Sequence, residues 1–238
     1  MMDLHNTKKI KIQRFEDDHT VGFRDVLLSE KSFALFLNGD YIERITCTGS
    51  EIKELITGHL YSEHRIRSAS DLSLISVNDK TGSIYAEIKT AVPVPVIRNC
   101  EGGERFVMSY TAVINIFREF QEMSVLFKET GGVHSAALAD GHYRICYFSE
   151  DMSRYNAVDK VVGKALIDGF DPGSAMLITS SRMPLELIQK ASHACIKTIL
   201  SVSAPTLESV YFARENHIVL LGMFRNNRIN IYSGSIEG

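Results

Sequence analysis

The sequence predicts an α/β protein, α+β overall: a β-rich N-terminal domain with one helix over residues 1–98, then a layered α/β domain over 99–238. Three observations predict this. The first hundred residues carry paired apolar runs joined by turn dipeptides. The second half alternates short apolar runs with stretches of helical period, as a layered α/β domain requires. Between them, Ala91-Val-Pro-Val-Pro-Val-Ile97 places prolines inside an apolar run. Proline lacks a ladder donor, so this run is an extended linker or an edge strand, and the domain boundary falls there.

The elements follow in order. Lys8-Lys9-Ile-Lys11 reads as a solvated strand or tail rather than a binding patch. Phe33–Leu37 and Tyr41–Thr46 flank Asn38-Gly39, which supplies the positive φ of a tight hairpin turn. Residues 52, 55, 56 and 60 form one apolar helical face, with Ser50 as the expected N-cap. Leu72–Val77 and Ser83–Lys89 alternate around Asp79-Lys-Thr-Gly82, a second hairpin.

Beyond the linker, apolar residues at 113, 116, 117, 120, 123 and 127 predict a helix over Tyr110–Phe127. Strands are expected at Ile145–Phe148, Ala175–Thr179, Thr198–Val202, Ile218–Gly222 and Ile229–Tyr232. Helices are expected at Asn156–Leu166, Pro184–Ala194 and Pro205–Arg214, the prolines suiting a first helical turn.

Composition narrows the function. Apolar residues make up 45% of 238 and the net charge is −3, so no global field favours nucleic acid or an anionic membrane. No apolar run approaches the roughly 20 residues of a membrane span. The first residues lack a charged start followed by an apolar stretch, so no secretory signal is expected. The four cysteines are widely spaced and include no CxxC, which argues against a disulfide framework. Cys47, Cys146 and Cys195 lie in apolar contexts and read as small core residues.

Cys100 is different. It lies in Arg98-Asn-Cys-Glu-Gly-Gly-Glu104, among polar and glycine residues that favour exposure. It reads as a sulfur-accepting thiol or as an incidental loop cysteine. Glu101 and Glu104 would oppose its thiolate; Arg98 and Arg105 would favour it. Thr130-Gly131-Gly132-Val133-His134 ends the long helix and combines close backbone approach with a titratable ring. It reads as a ligand loop, or as a helix C-cap with His134 satisfied internally. Ser181-Arg182 and Ser201-Val-Ser203-Ala-Pro-Thr206 each pass from a strand to a helix, where phosphate groups bind and where ordinary capping also occurs. In Phe224-Arg225-Asn226-Asn227-Arg228-Ile229, the phenyl ring can stack on a base and the arginines can meet pyrophosphate; alternatively the segment is a polar hairpin loop.

Taken with Arg154-Tyr155-Asn156-Ala-Val-Asp159-Lys160, these segments resemble the FdhD/NarQ family, the formate dehydrogenase accessory sulfurtransferases. The resemblance implies a cytoplasmic homodimer whose second domain has a cytidine-deaminase-like α/β/α fold. It implies a sulfur carrier that takes persulfide sulfur from a cysteine desulfurase, with Cys100 as the carrier. The acceptor would be the bis-molybdopterin guanine dinucleotide cofactor, a molybdenum client bound for insertion into formate dehydrogenase.

The cofactor side would comprise Gly131, Gly132, His134, Arg154, Asn156, Lys160, Ser181, Arg182, Ser203 and the 224–229 segment, with GDP or GMP as a mimic. Asp159 and Lys160 read equally as a surface pair on a helix. Ser153 and Tyr155 depart from the family's glycine and histidine, and one loop cysteine is missing: Gly103 stands for the second if Cys100 matches the first, the preferred alignment, or Ile97 for the first if Cys100 matches the second. A Cys100 carrier then cannot be resolved by an internal partner, which excludes a two-cysteine shuttle. A cofactor-binding chaperone without transfer chemistry is the alternative; a nucleotide-binding regulator is a third reading. Zinc-deaminase ligand spacing, a Walker A loop and a GxGxxG fingerprint are all missing, so no metal site is expected.

Overall fold

The computed structural model describes residues 7–89, 100, 106 and 108–237. The Ala91–Ile97 run lies outside them, as do Arg98, Glu101, Gly103, Glu104 and Arg105.

Strands β1 (Thr7–Glu16) and β2 (His19–Leu28) form a separate antiparallel ribbon. Strands β3 (Lys31–Leu37), β4 (Asp40–Cys47), β5 (Leu72–Asn78) and β6 (Ser83–Ile88) form a four-stranded sheet, ordered β4-β3-β6-β5. Asn38 and Gly39 both take positive φ in the β3–β4 turn. Helix α1 (Ile52–Ser62) follows β4. Its N-cap is Glu51 in the left-handed region rather than Ser50. Ser50 Oγ instead meets Thr48 Oγ1 and accepts from Lys160 Nζ.

The second half contains α2 (Tyr110–Met123), α3 (Val125–Thr130), β7 (His134–Ala139), β8 (Ile145–Asp151), α4 (Arg154–Ile167), β9 (Met176–Thr179), α5 (Leu185–His193), β10 (Thr198–Ser201), α6 (Leu207–Glu215), β11 (Val219–Arg225) and β12 (Arg228–Ser233). The helix expected over 110–127 breaks at Ser124, which joins Ser135 through a hydroxyl pair at 2.6 Å. Pro184 and Pro205 precede their helices, and Thr206 caps α6 by accepting from Ser209 N–H.

The strands make a six-stranded sheet ordered β12-β11-β10-β9-β7-β8. β9, β10 and β11 run parallel; β7 is antiparallel to β8 and β9, and β12 to β11.

Strand alternation sorts this sheet onto two cores. Ala137, Ala139, Met176, Ile178, Leu200 and Leu221 pack with Val113, Phe117 and Phe120 of α2. Ala136, Leu138, Leu177, Ile199 and Leu220 pack with α4, α5 and α6. The second core continues without a break into Leu55 and Ile56 of α1 and Phe33, Leu35 and Ile84 of the smaller sheet. The residues before the linker thus share a core with those after it.

Two glycines allow the closest approach in that core. A Cβ on Gly58 of α1 would lie 1.8 Å from the Asp159 carbonyl oxygen, and one on Gly163 of α4 would lie 1.8 Å from that of Glu54. The helices therefore meet backbone to backbone, which any larger residue forbids.

Candidate functional site: a cavity at the strand ends and a cysteine pair

The C-terminal ends of β9 and β10 and the start of β7 lie at one edge of the sheet. A cavity of about 480 Å³ opens there, lined by residues including Gln121, Gly131, Gly132, His134, Ser180 and Val202. Its volume falls in the range that holds small-molecule ligands, roughly 300–1,000 Å³. Gly131 takes φ 65° and its N–H donates to Phe127 O at 2.7 Å, so it caps α3 as well as lining the cavity. Ser180 Oγ accepts from Ser135 N–H at 2.9 Å, fixing the β9–α5 loop against β7.

His134 is half-buried. Burial holds its pKa below the usual histidine value, and the neighbouring charges of Arg154 and Arg182 lower it further. The imidazole is thus held neutral beside two cations. Among the described residues no carboxylate pairs with either guanidinium. The surroundings of His134 therefore carry positive charge that an anion would neutralise.

Several residues expected at this site are engaged elsewhere. Lys160 and Asp151 are both 0% exposed and paired at 2.7 Å. Lys160 Nζ also donates to Thr48 Oγ1 at 2.9 Å and to Glu150 O at 3.1 Å. Lys160 is therefore an interior cation and cannot reach a phosphate. Nor is Asp159–Lys160 a surface pair: buried Asp159 accepts two bonds from Lys190 Nζ, each 3.0 Å. Asn156 Nδ2 donates to Thr46 O at 2.8 Å and to Asp151 Oδ1 at 3.0 Å, tying α4 to β4.

Ser181 is buried and bonded to Thr179 Oγ1 and Arg182 O; its neighbour Ser180 faces the cavity instead. Phe224 stacks on Phe117 with centroids 4.6 Å apart and rings 8° from parallel, so it is core and cannot stack on a base. Ile229 is half-buried against the same core.

Other expected residues stay at the sheet edge. Ser203 O accepts from Met223 N–H at 3.0 Å, linking the β10–α6 loop to β11. Asn226 and Asn227 form the β11–β12 turn, both at positive φ. Asn227 Oδ1 accepts from Arg118 Nη2 of α2 at 3.0 Å. Arg225, Asn226 and Arg228 are exposed beside that turn.

Sequence reasoning missed Gln121, Ser180 and Val202. Strand parity after Thr179 could have found Ser180; nothing local in the sequence marks the other two.

Cysteine placement differs from expectation. Cys146 is exposed rather than core. Cys100 forms a disulfide with Cys195, their Cα atoms 4.9 Å apart across 95 residues. Cys100 thus has an internal partner, which the loop sequence alone did not supply. Cys195 follows α5 and precedes β10, at the opposite end of the parallel strands from the cavity. Among the described residues no group of His, Cys, Asp or Glu is arranged to hold a metal, and no helix is long and apolar enough to cross a membrane.

The FdhD/NarQ family profile matches residues 28–99 and 95–237. The chain belongs to the FdhD/NarQ family. Similar FdhD/NarQ proteins include the sulfur carrier protein FdhD of Bacillus subtilis, 27% identical over 93% of this chain and 94% of that protein. The FdhD of Listeria monocytogenes is 30% identical over 94% and 95% respectively. A crystal structure from Desulfotalea psychrophila, of a protein named as a candidate formate dehydrogenase accessory protein, superimposes with TM-score 0.82 at 21% identity. It covers 96% of this chain and 97% of its own, and so shares the fold of this FdhD/NarQ member.

Proposed function

We propose that this chain is a cytoplasmic sulfur carrier required for formate dehydrogenase activity. Cys100 accepts persulfide sulfur from a cysteine desulfurase and passes it to the bis-molybdopterin guanine dinucleotide client. The observation that carries this reading is the near full-length match to proteins named sulfur carrier protein FdhD. The mixed sheet order β8-β7-β9-β10-β11 suits a cytidine-deaminase-like domain, which we assign to the second half.

The strand-end cavity supports the cofactor half of the reading. Gly131 and Gly132 admit close backbone approach, His134 offers one neutral hydrogen-bonding ring, and Arg154 and Arg182 supply charge for a guanine nucleotide phosphate. Arg225 and Arg228 on the adjacent hairpin would meet the pyrophosphate. A homodimer would present two such cavities to a cofactor with two guanine ends.

A cofactor chaperone without transfer chemistry is the second reading, favoured by the engagement of Cys100 with Cys195. Complementation of a strain lacking the carrier separates the two. The carrier reading expects Cys100→Ala to abolish formate dehydrogenase maturation while GDP still binds. Full maturation with Cys100→Ala would sink it and leave the chaperone.

A further inference from the structure

The described residues place Cys100 and Cys195 at bonding distance in the folded chain. Cys195 is held in place by a helix end, as His217 is after α6. It stands just after the α5 C-cap Ala194, two residues beyond His193, with φ 61°, the left-handed site that ends many helices. Its N–H donates to Ser192 O at 2.9 Å, and Ile196 N–H to Ala191 O at 3.0 Å, closing the helix end. Glycine is the residue that site favours, and a side chain there costs roughly 1–2 kcal/mol.

We infer that Cys195 is the resolving thiol for Cys100, a role resting on the carrier reading above. The Cys195 thiolate attacks Cys100 Sγ of the persulfide. The Cys100–Cys195 bond forms and the bond from Cys100 Sγ to the outer sulfur breaks. The electron pair leaves with that outer sulfur, which departs as hydrosulfide. The two cysteines supply the two electrons and end as a disulfide. A dithiol reductant then returns two electrons and two protons to reset the pair. Sulfur thus leaves already at the sulfide level, and it leaves at the end of the sheet opposite the Gly131–Gly132 cavity. Where a loop CxxC is lacking, the fold supplies the second sulfur from the α5–β10 turn.

The test uses the full chain, reduced and freed of reductant, then charged with inorganic polysulfide. Persulfide on Cys100 is followed by alkylation and mass spectrometry, and hydrosulfide by methylene blue. The wild type is expected to lose its persulfide as hydrosulfide and the Cys100–Cys195 disulfide appear together. Cys195→Ser should keep the Cys100 persulfide at least tenfold longer and release at least tenfold less hydrosulfide. Cys195→Gly, which relieves the backbone, should behave the same and so separate lost chemistry from lost folding. Equal decay in wild type and both variants would overturn the role of Cys195 while leaving Cys100 a carrier. Failure of Cys100 to charge in Cys195→Ser or Cys195→Gly would overturn both readings.

Discussion

Arg154 and Lys160 stand on the same helix, six residues apart, and they have opposite surroundings. Lys160 is sealed between the two halves of the molecule, its charge met by Asp151 and its protons by Thr48 Oγ1 and Glu150 O. Arg154 is half-exposed near His134 and Arg182, with no carboxylate partner among the described residues. One end of the motif closes a seam and the other lies close enough to His134 to act on its charge. A charged side chain whose countercharge lies within the chain holds the fold; one like Arg154, over the Tyr155 ring and with no carboxylate partner among the described residues, is available to an anion. Residue type and spacing do not make that distinction. Burial and partner inventory do.

The seam should be the more costly region to break. Lys160→Ala leaves Asp151 buried without its cation, and we expect a loss of about 3–5 kcal/mol. Urea unfolding measures it. A loss below about 1 kcal/mol would mean the seam is not a closed ion pair. Gly163→Ala should follow closely, at about 1–3 kcal/mol or more, because its Cβ meets backbone rather than a movable side chain. A neutral result there would contradict the backbone-to-backbone packing of α1 and α4.

The same seam carries a pH dependence. His59 Nε2 meets Glu43 at 2.8 Å and its Nδ1 lies 3.5 Å from Asp159. Burial opposes its charge, but the hydrogen bonds to Asp159 and Glu43 outweigh it and raise its pKa to about 9. The folded value is raised, so the stabilisation is complete below the unfolded value of about 6.5 and is lost as pH rises through 9. Asp159 works in the other direction. Burial opposes its charge too, but Lys190 and His59 hold its pKa below the usual carboxylate value, so its contribution is lost only as pH falls through that lowered value. Melting temperature should therefore decline between pH 6.5 and 9, by up to about 3 kcal/mol of stability. His59→Gln should flatten the decline. An unchanged slope in that variant would remove His59 from the seam.

The sequence was informative where a local pattern suffices. Asn38-Gly39, the α4 to α6 periods and the parallel strands all follow from turn chemistry and apolar spacing. β7 was not expected, because His134-Ser-Ala-Ala-Leu-Ala139 is rich in small residues rather than β-branched ones. Of the β1–β2 ribbon the sequence marks only Lys8–Lys11, as a strand or tail, and β2 was not expected, since the ribbon's residues are mostly exposed and do not alternate strictly. The cavity was half legible: Gly131, Gly132 and His134 line it, but Phe224, Ser181 and Lys160 are buried in the fold and Asn156 lines a separate cavity beside Thr46. Those assignments fail for one reason: a family motif records which residues recur, and packing residues recur as well as ligand residues. The Cys100–Cys195 link joins residues 95 apart and leaves no local trace.

The open region should respond in affinity rather than stability. Arg182→Ala removes an exposed cation with no carboxylate partner among the described residues, so unfolding free energy should stay within about 0.5 kcal/mol of wild type. GDP affinity should fall roughly tenfold or more, the worth of one charge-assisted hydrogen bond to phosphate. Calorimetry of both proteins decides it. Unchanged affinity, or equal affinity for ADP in the wild type, would move the guanine site away from this cavity.

The smallest expected effect belongs to His134, and its sign is fixed by the surroundings. Burial, then Arg154 and Arg182, keep the free imidazole neutral at pH 7. A bound phosphate would offset those two cations and favour the protonated ring, so its pKa should rise on binding. By linkage, a ligand that raises a pKa binds more tightly as protons are added. GMP affinity should therefore increase about two- to threefold from pH 8 to pH 6. The ligand's own phosphate titrates over part of this range, so the comparison is with His134→Gln, which shares that titration and lacks the ring. The difference between the two profiles isolates His134. Identical profiles would place His134 with Lys160, among the residues that hold the fold and do not meet the ligand.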